Sequence, residues 1–206
     1  MTVLFLIRHG ETPWTRERRF QGSTNTHLSS RGKRQAAALA RSLKRQGLHY
    51  IYASDLWRAR ETADIIAKAS RKKISFDKRL RELGFGEWEG RTSAELWKDK
   101  KSRYRDWCRG KIVTPKKGEP MPALQKRIRG FLNEICRKHP GKRIAVVTHG
   151  GPVKIFLYEA LQLPFRSLWS FRIEPASMTV IGLGKHFAQA LCVNDTAHLI
   201  RKGKRQ

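Results

Sequence analysis

Two histidines in this sequence stand directly after short apolar runs, each beside a glycine. Val3-Leu4-Phe5-Leu6-Ile7 leads into Arg8-His9-Gly10-Glu11-Thr12, and Ile144-Ala145-Val146-Val147 leads into Thr148-His149-Gly150-Gly151. If both runs are buried strands, both histidines emerge at strand ends, where open α/β sheets bind their ligands. Arg8 adjoins the first histidine. Arg58 lies within a turn or so of Ser54, which itself follows the apolar run Tyr50–Ala53. Gly150-Gly151-Pro152 lets backbone approach a ligand and opens a helix, whose N-terminus favours an anion. Two histidines, two arginines and a helix N-terminus suit a phosphoryl group, because the planar guanidinium fork matches phosphate oxygens better than a lysine point charge does. There is no P-loop, and these motifs lack the carboxylates that would hold magnesium.

The elements needed to hold these residues can be read along the chain. Strand and helix signals alternate throughout, which predicts a three-layer α/β/α sandwich on a mostly parallel central sheet. Val3–Ile7, Tyr50–Ala53, Ile74–Phe76 and the run ending near Thr148 are expected strands. Ser29 or Ser30 can cap a helix carrying Ala36, Leu39, Ala40 and Leu43, which Gly47 stops. Ser54 or Asp55 can cap a second helix carrying Ala59, Ala63, Ile66 and Ala67. Met121–His139 has helical spacing at Leu124, Ile128, Phe131, Leu132 and Ile135, and Pro152 suits the first position of a helix through Leu161. Trp169–Ile173, Met178–Leu183 and Ala188–Val193 read as late strands. Residues 81–120, with Trp88, Trp97 and Trp107, read as a lid or an excursion of loops and short helices. With no internal repeat and no linker, the reading is one domain over 1–206 that ends in a basic tail at 201–206.

Composition sets the background. Lys and Arg number 44 against 17 Asp and Glu, a formal charge of +27 that attracts anions of every kind. No aromatic-interleaved groove and no helix-turn-helix pattern accompanies it, so a dedicated nucleic-acid site is not expected and the excess reads as a solvated basic surface. The cysteines, Cys108, Cys136 and Cys192, lack paired short spacing and read as reduced thiols with no zinc pattern. No basic segment precedes the first apolar stretch and no run reaches membrane-spanning length. A cytoplasmic protein without a membrane anchor is the expectation, with a homodimer left open.

Taken in order, the motifs resemble the histidine phosphatases of the phosphoglycerate mutase-like superfamily. Besides the two histidine motifs, the resemblance rests on Gln21-Gly22, Leu28-Ser29-Ser30-Arg31-Gly32 with Gln35-Ala36, and Ser54-Asp55-Leu56 with Arg58-Ala59 and Thr62-Ala63. It continues through Leu83-Gly84-Phe85-Gly86-Glu87-Trp88-Glu89-Gly90 to Asn194-Asp195-Thr196-Ala197-His198-Leu199. The resemblance implies that His9 is a nucleophile forming a phosphohistidine, and that Arg8, Arg58 and His149 surround the phosphoryl oxygens. It implies that Glu82 is the proton donor, and that Gly150, Gln21, Gly22 and Thr15 line the phosphate and substrate site. It further implies chemistry without metal or cofactor, the arginines supplying the positive charge. Glu87 and Glu89 compete with Glu82 on sequence alone. His198 reads as packing near the site rim, and His27, His49, His139 and His186 as surface or packing residues.

The implied activity is hydrolysis of a small phosphorylated metabolite. The stretch 80–90 is similar to small bacterial phosphatases, including α-ribazole phosphatases and broad-specificity ones. It lacks the tyrosine-containing stretch associated with cofactor-dependent phosphoglycerate mutases, which stand as the alternative. A non-catalytic phospho-ligand or RNA-binding protein on the same scaffold is the more distant one. Thr15 stands where many relatives carry asparagine, Asn25 where they often have aspartate, and His27 replaces a common proline.

Overall fold

The computed structural model describes residues 1–200, so the basic tail at 201–206 lies outside the described residues. In chain order its strands are β1 (Thr2–Arg8), β2 (Tyr50–Ala53), β3 (Ile74–Phe76), β4 (Arg143–Thr148), β5 (Met178–Leu183) and β6 (Ala188–Asp195). Its α-helices are α1 (Pro13–Arg16), α2 (Ser30–Leu43), α3 (Trp57–Ser70), α4 (Ser93–Lys98), α5 (Tyr104–Cys108), α6 (Met121–Lys138) and α7 (Gly150–Ala160). The strands form one sheet in the order β3-β2-β4-β1-β5-β6. The first four run parallel, while β5 and β6 are antiparallel to their neighbours.

The continuous apolar runs of β1 and β4 follow from burial on both faces. Leu4, Leu6, Ile144 and Val146 point into one core, which the apolar stripe of α6 and the Val153, Phe156 and Leu157 side of α7 complete. Val3, Phe5, Ile7, Ala145 and Val147 point into the other, closed by α2 and α3. On that side the facing helices offer Ala36, Leu39, Ala40 and Leu43 against Ala59, Ala63 and Ile66, and the small side chains let the helices lie close to the sheet. Ser29 caps α2, its Oγ accepting from the Gly32 N–H at 3.0 Å.

Three local expectations change. Helix α3 starts at Trp57, not at Ser54 or Asp55, because Ser54 Oγ takes the Leu56 N–H and a strand-to-helix turn intervenes. Helix α7 begins at Gly150, which puts Pro152 in its third position; a missing N–H costs nothing anywhere in the first turn. Trp169–Ile173 is no strand: a 3-10 turn spans Phe165–Ser170 and irregular chain follows. Its apolar run serves packing instead, with Leu168 and Ile173 buried in the α6–α7 core. The stretch 81–120 holds α4, α5 and 3-10 turns around buried Trp88, Leu96 and Val113.

Candidate active site

The register of the sheet delivers the site. β1 and β4 pair in parallel with Arg8 opposite Thr148, so His9 and His149 leave adjacent strand ends side by side. The His9 N–H continues the ladder to the Thr148 carbonyl at 2.9 Å, and the two rings meet edge to face with centroids 5.1 Å apart. On the far side of β4, β2 pairs Ala53 with Val147, which sets Ser54 next to His149. Three neighbouring parallel strands thus end on Ser54, His149 and His9.

Hydrogen bonds give the two buried imidazoles different states. His9 Nδ1 lies 2.7 Å from the Gly10 carbonyl, which can only accept, so Nδ1 carries the proton and Nε2 keeps its lone pair. His149 Nε2 lies 2.9 Å from Ser54 Oγ. Ser54 already accepts from Leu56, so its hydroxyl is free to donate to a neutral His149, which leaves a proton on Nδ1. Both rings are held well below the ordinary histidine range, first by burial and then by the Arg58 and Arg8 charges, so both are neutral near pH 7.

The arginines are aimed by backbone carbonyls. Arg8 Nη1 donates to the Ile173 carbonyl at 2.5 Å, and Arg58 donates to the Gly22 and Thr24 carbonyls at 2.7 and 2.8 Å. Arg58 is fully buried, and desolvation lowers its pKa to about 10, still cationic at neutral pH. Gly22 is required here, since it sits at φ +50° and a Cβ would collide with the Glu89 carboxylate. Arg8 Nε, Arg58 Nε and His149 Nδ1 are buried donors with no hydrogen-bond partner among the described residues.

Arg8, His9, Thr15, Gln21, Gly22, Arg58 and Glu82 all line one cavity of about 280 Å³. His149, fully buried beside His9, is not among its walls, and neither is Gly150, which lines a neighbouring chamber that shares Arg8 and Phe85 with the first. Thr15 and Gln21 are mostly occupied with each other and with Thr12 and Thr26, and so shape the wall. Among the three acidic candidates the structure separates roles. Glu89 accepts from the Ser23, Thr24 and Phe85 N–H groups and the Thr24 hydroxyl, and thus braces the loops. Glu87 lines a different surface cavity. Glu82 reaches the site, its carboxylate accepting from the Leu83 N–H at 2.9 Å and the Gly151 N–H at 3.2 Å. The anion served by the start of α7 is therefore this carboxylate.

Supporting residues escaped the sequence reading. Arg127 on α6 donates to the carbonyls of Arg79, Arg81 and Glu82 and pairs with Glu119, so it clamps the loop that carries Glu82. Thr62 Oγ1 accepts from the Gly10 N–H at 3.1 Å. His198 Nε2 lies 2.9 Å from the Ala176 carbonyl, a packing role as expected. Among the described residues no group of three or more His, Cys, Asp or Glu is placed to hold a metal ion, and no helix is long and apolar enough to cross a membrane.

Comparison with known proteins matches residues 4–196 to the histidine phosphatase superfamily (branch 1). Phosphoserine phosphatase 1 of Hydrogenobacter thermophilus is 33% identical over 204 residues, covering 97% of this chain and 95% of its own. A probable phosphoglycerate mutase, GpmB, of Escherichia coli is 39% identical over 181 residues, covering 87% of this chain and 84% of its own. Among solved structures, Bacillus stearothermophilus YhfR superposes with a TM-score of 0.89 at 32% identity, covering 97% of this chain and 100% of its own.

Proposed function

The chain belongs to the histidine phosphatase superfamily, and from that premise we propose that its phosphatase reaction runs through His9, with Arg8, Arg58 and His149 holding the phosphoryl group and Glu82 moving the proton. The enzyme is a phosphomonoester hydrolase acting on small phosphorylated molecules, as the family match and its phosphatase-named relative support. The observation that carries the residue roles is the set of three buried, unpartnered donors around an imidazole whose Nε2 is unprotonated. Fixed donors in a dry site stabilise developing charge without reorganising, and losing one costs about 3–4 kcal/mol of barrier on the scale of oxyanion-hole donors.

His9 Nε2 attacks phosphorus as the ester P–O bond breaks, and the Glu82 carboxylate, having taken the proton of a monoanionic phosphoryl group, passes it to the departing alkoxide. Water then attacks the phosphohistidine, Glu82 takes the water proton, the P–N bond breaks and inorganic phosphate leaves. Neutrality of His9 matters because a protonated ring has no lone pair to offer.

A radiolabelled aryl phosphate, with EDTA present, tests the assignment. The expected result is an acid-labile, base-stable phosphoenzyme that His9→Ala loses together with hydrolysis while the circular dichroism spectrum is unchanged. A folded His9→Ala protein with full activity would overturn it.

A further inference from the structure

The chamber beside the phosphoryl cavity encloses about 520 Å³, and its walls include Leu83, Phe85, Trp107, Trp169, Phe171 and Lys154. Arg8 and Phe85 line both spaces. Glu82 lines the phosphoryl cavity, while its carboxylate accepts from the N–H of Gly151, a wall residue of the chamber. The proton donor therefore stands at the junction. An ester whose phosphoryl group meets His9 must place its bridging oxygen near Glu82, and the rest of the alcohol then extends into the chamber. The same contact explains the glycine, since a Cβ on Gly151 would strike Glu82 Oε1.

Apart from Ser170 and three cations the chamber is apolar and aromatic, and the cations are not equivalent. Arg8 lines both spaces and is tied to the Ile173 carbonyl, while Arg172 is exposed and paired with Glu174. Lys154, one turn into α7, is partly buried, and its ammonium donates no hydrogen bond to any described residue. Burial destabilises its charge, Glu82 favours it and Arg8 opposes it. A single ammonium in an apolar wall matches one carboxylate; a second phosphate dianion would call for the forked donors of arginine.

Resting on the phosphatase reading above, we propose that this chamber is the leaving-alcohol subsite, and that Lys154 makes it select alcohols joining a ring-sized apolar body to a carboxylate. The body displaces water from the aromatic walls and the carboxylate satisfies the ammonium.

Three esters test it on the full chain: ethyl phosphate, phenyl phosphate and para-carboxyphenyl phosphate. Wild-type kcat/KM, normalised to each ester's intrinsic leaving-group reactivity, should rise from ethyl to phenyl and again, by about tenfold, to para-carboxyphenyl, within what a hydrogen bond to a charged group supplies. Lys154→Met should erase the second step, mainly through KM, and Lys154→Arg should restore most of it. Trp169→Ala should lower both aryl esters relative to ethyl phosphate. If Lys154→Met lowers all three esters equally, Lys154 acts on Glu82 and the proposed selectivity is wrong. Equal turnover of ethyl and phenyl phosphate would remove the subsite itself. Failure to hydrolyse any of the three would instead strike the phosphatase reading first, and this proposal with it.

Discussion

His9 and His149 share a residue type, deep burial and a position after a strand, yet the atoms beside them separate their roles. A carbonyl that can only accept leaves His9 with a lone pair on Nε2, and a hydroxyl that can donate leaves His149 with an unpartnered N–H at Nδ1, the states their proposed roles require. Both positions were legible because a strand-end histidine next to glycine has few structural uses. Glu82 was harder, since Glu87 and Glu89 are equally acidic and equally close in sequence; only the hydrogen bonds show that Glu89 is consumed by loop backbone. The proton role proposed for Glu82 has a kinetic consequence. Glu82→Gln should lower kcat on ethyl phosphate by about 10²–10⁴-fold, the usual worth of general acid–base catalysis. On para-nitrophenyl phosphate, whose leaving group needs no proton, the first step should survive and phosphoenzyme should accumulate, visible as a nitrophenolate burst. A variant that slows both substrates alike without a burst would assign the proton to another group.

At the level of elements, the periodic parts of the chain announce themselves and the clamps do not. The stripes of α2, α3 and α6 follow helical spacing, and β1 and β4 read as doubly buried runs. Arg127 hid because it sits beside Ile128 on α6 and looks like an ordinary solvated cation, whereas it binds three carbonyls of the loop leading to Glu82. Trp169–Ile173 misled for a related reason: a short apolar run does not say whether it pairs with a strand or walls a cavity. Lys154 was silent because its meaning comes from walls contributed by segments far away in sequence. Arg127→Met should leave those carbonyls and Glu119 without their donor, costing about 1–3 kcal/mol in urea unfolding. It should also lower kcat more than it raises KM, because Arg8, Arg58 and His149, proposed to hold the phosphoryl group, lie on other elements. Unchanged stability and kcat would show that the loop holds itself.

For the whole molecule, a formal charge of +27 surrounds a centre that keeps two histidines neutral beside two arginines. His139 and His198 are shifted the same way, also mainly by burial. Folded pKa values below the ordinary value mean that, as pH falls below about 6.5, the unfolded chain takes up protons that the native state refuses. Stability is therefore fullest above that point and declines as pH falls, by up to about 1.4 kcal/mol per pH unit for each of the deeply buried His9 and His149 and by less for the more exposed His139 and His198, until the lowered folded values are reached. The carboxylates of Asp55 and Glu134, held below their ordinary range by Arg81 and by Lys138 with Arg79, stabilise the fold at neutral pH and lose that contribution only on further acidification, below the ordinary carboxylate range. Urea denaturation between pH 7 and 5 should show this decline, and His149→Asn should flatten it. A slope unaffected by the variant would mean that His149 is not held neutral.

The placement of β1 and β4 in the middle of the sheet has a further consequence for motion. Interior strands exchange their amides only when the whole structure opens, whereas short peripheral turns open locally and often. His9 and His149 thus leave the ends of strands expected to be among the slowest to open. The walls bearing Trp107 and Trp169 belong to a short helix and a 3-10 turn, elements of the kind that open locally. Phosphorus chemistry stays assembled between turnovers, while the surface that decides which alcohol enters is free to fluctuate, and free to be rewritten.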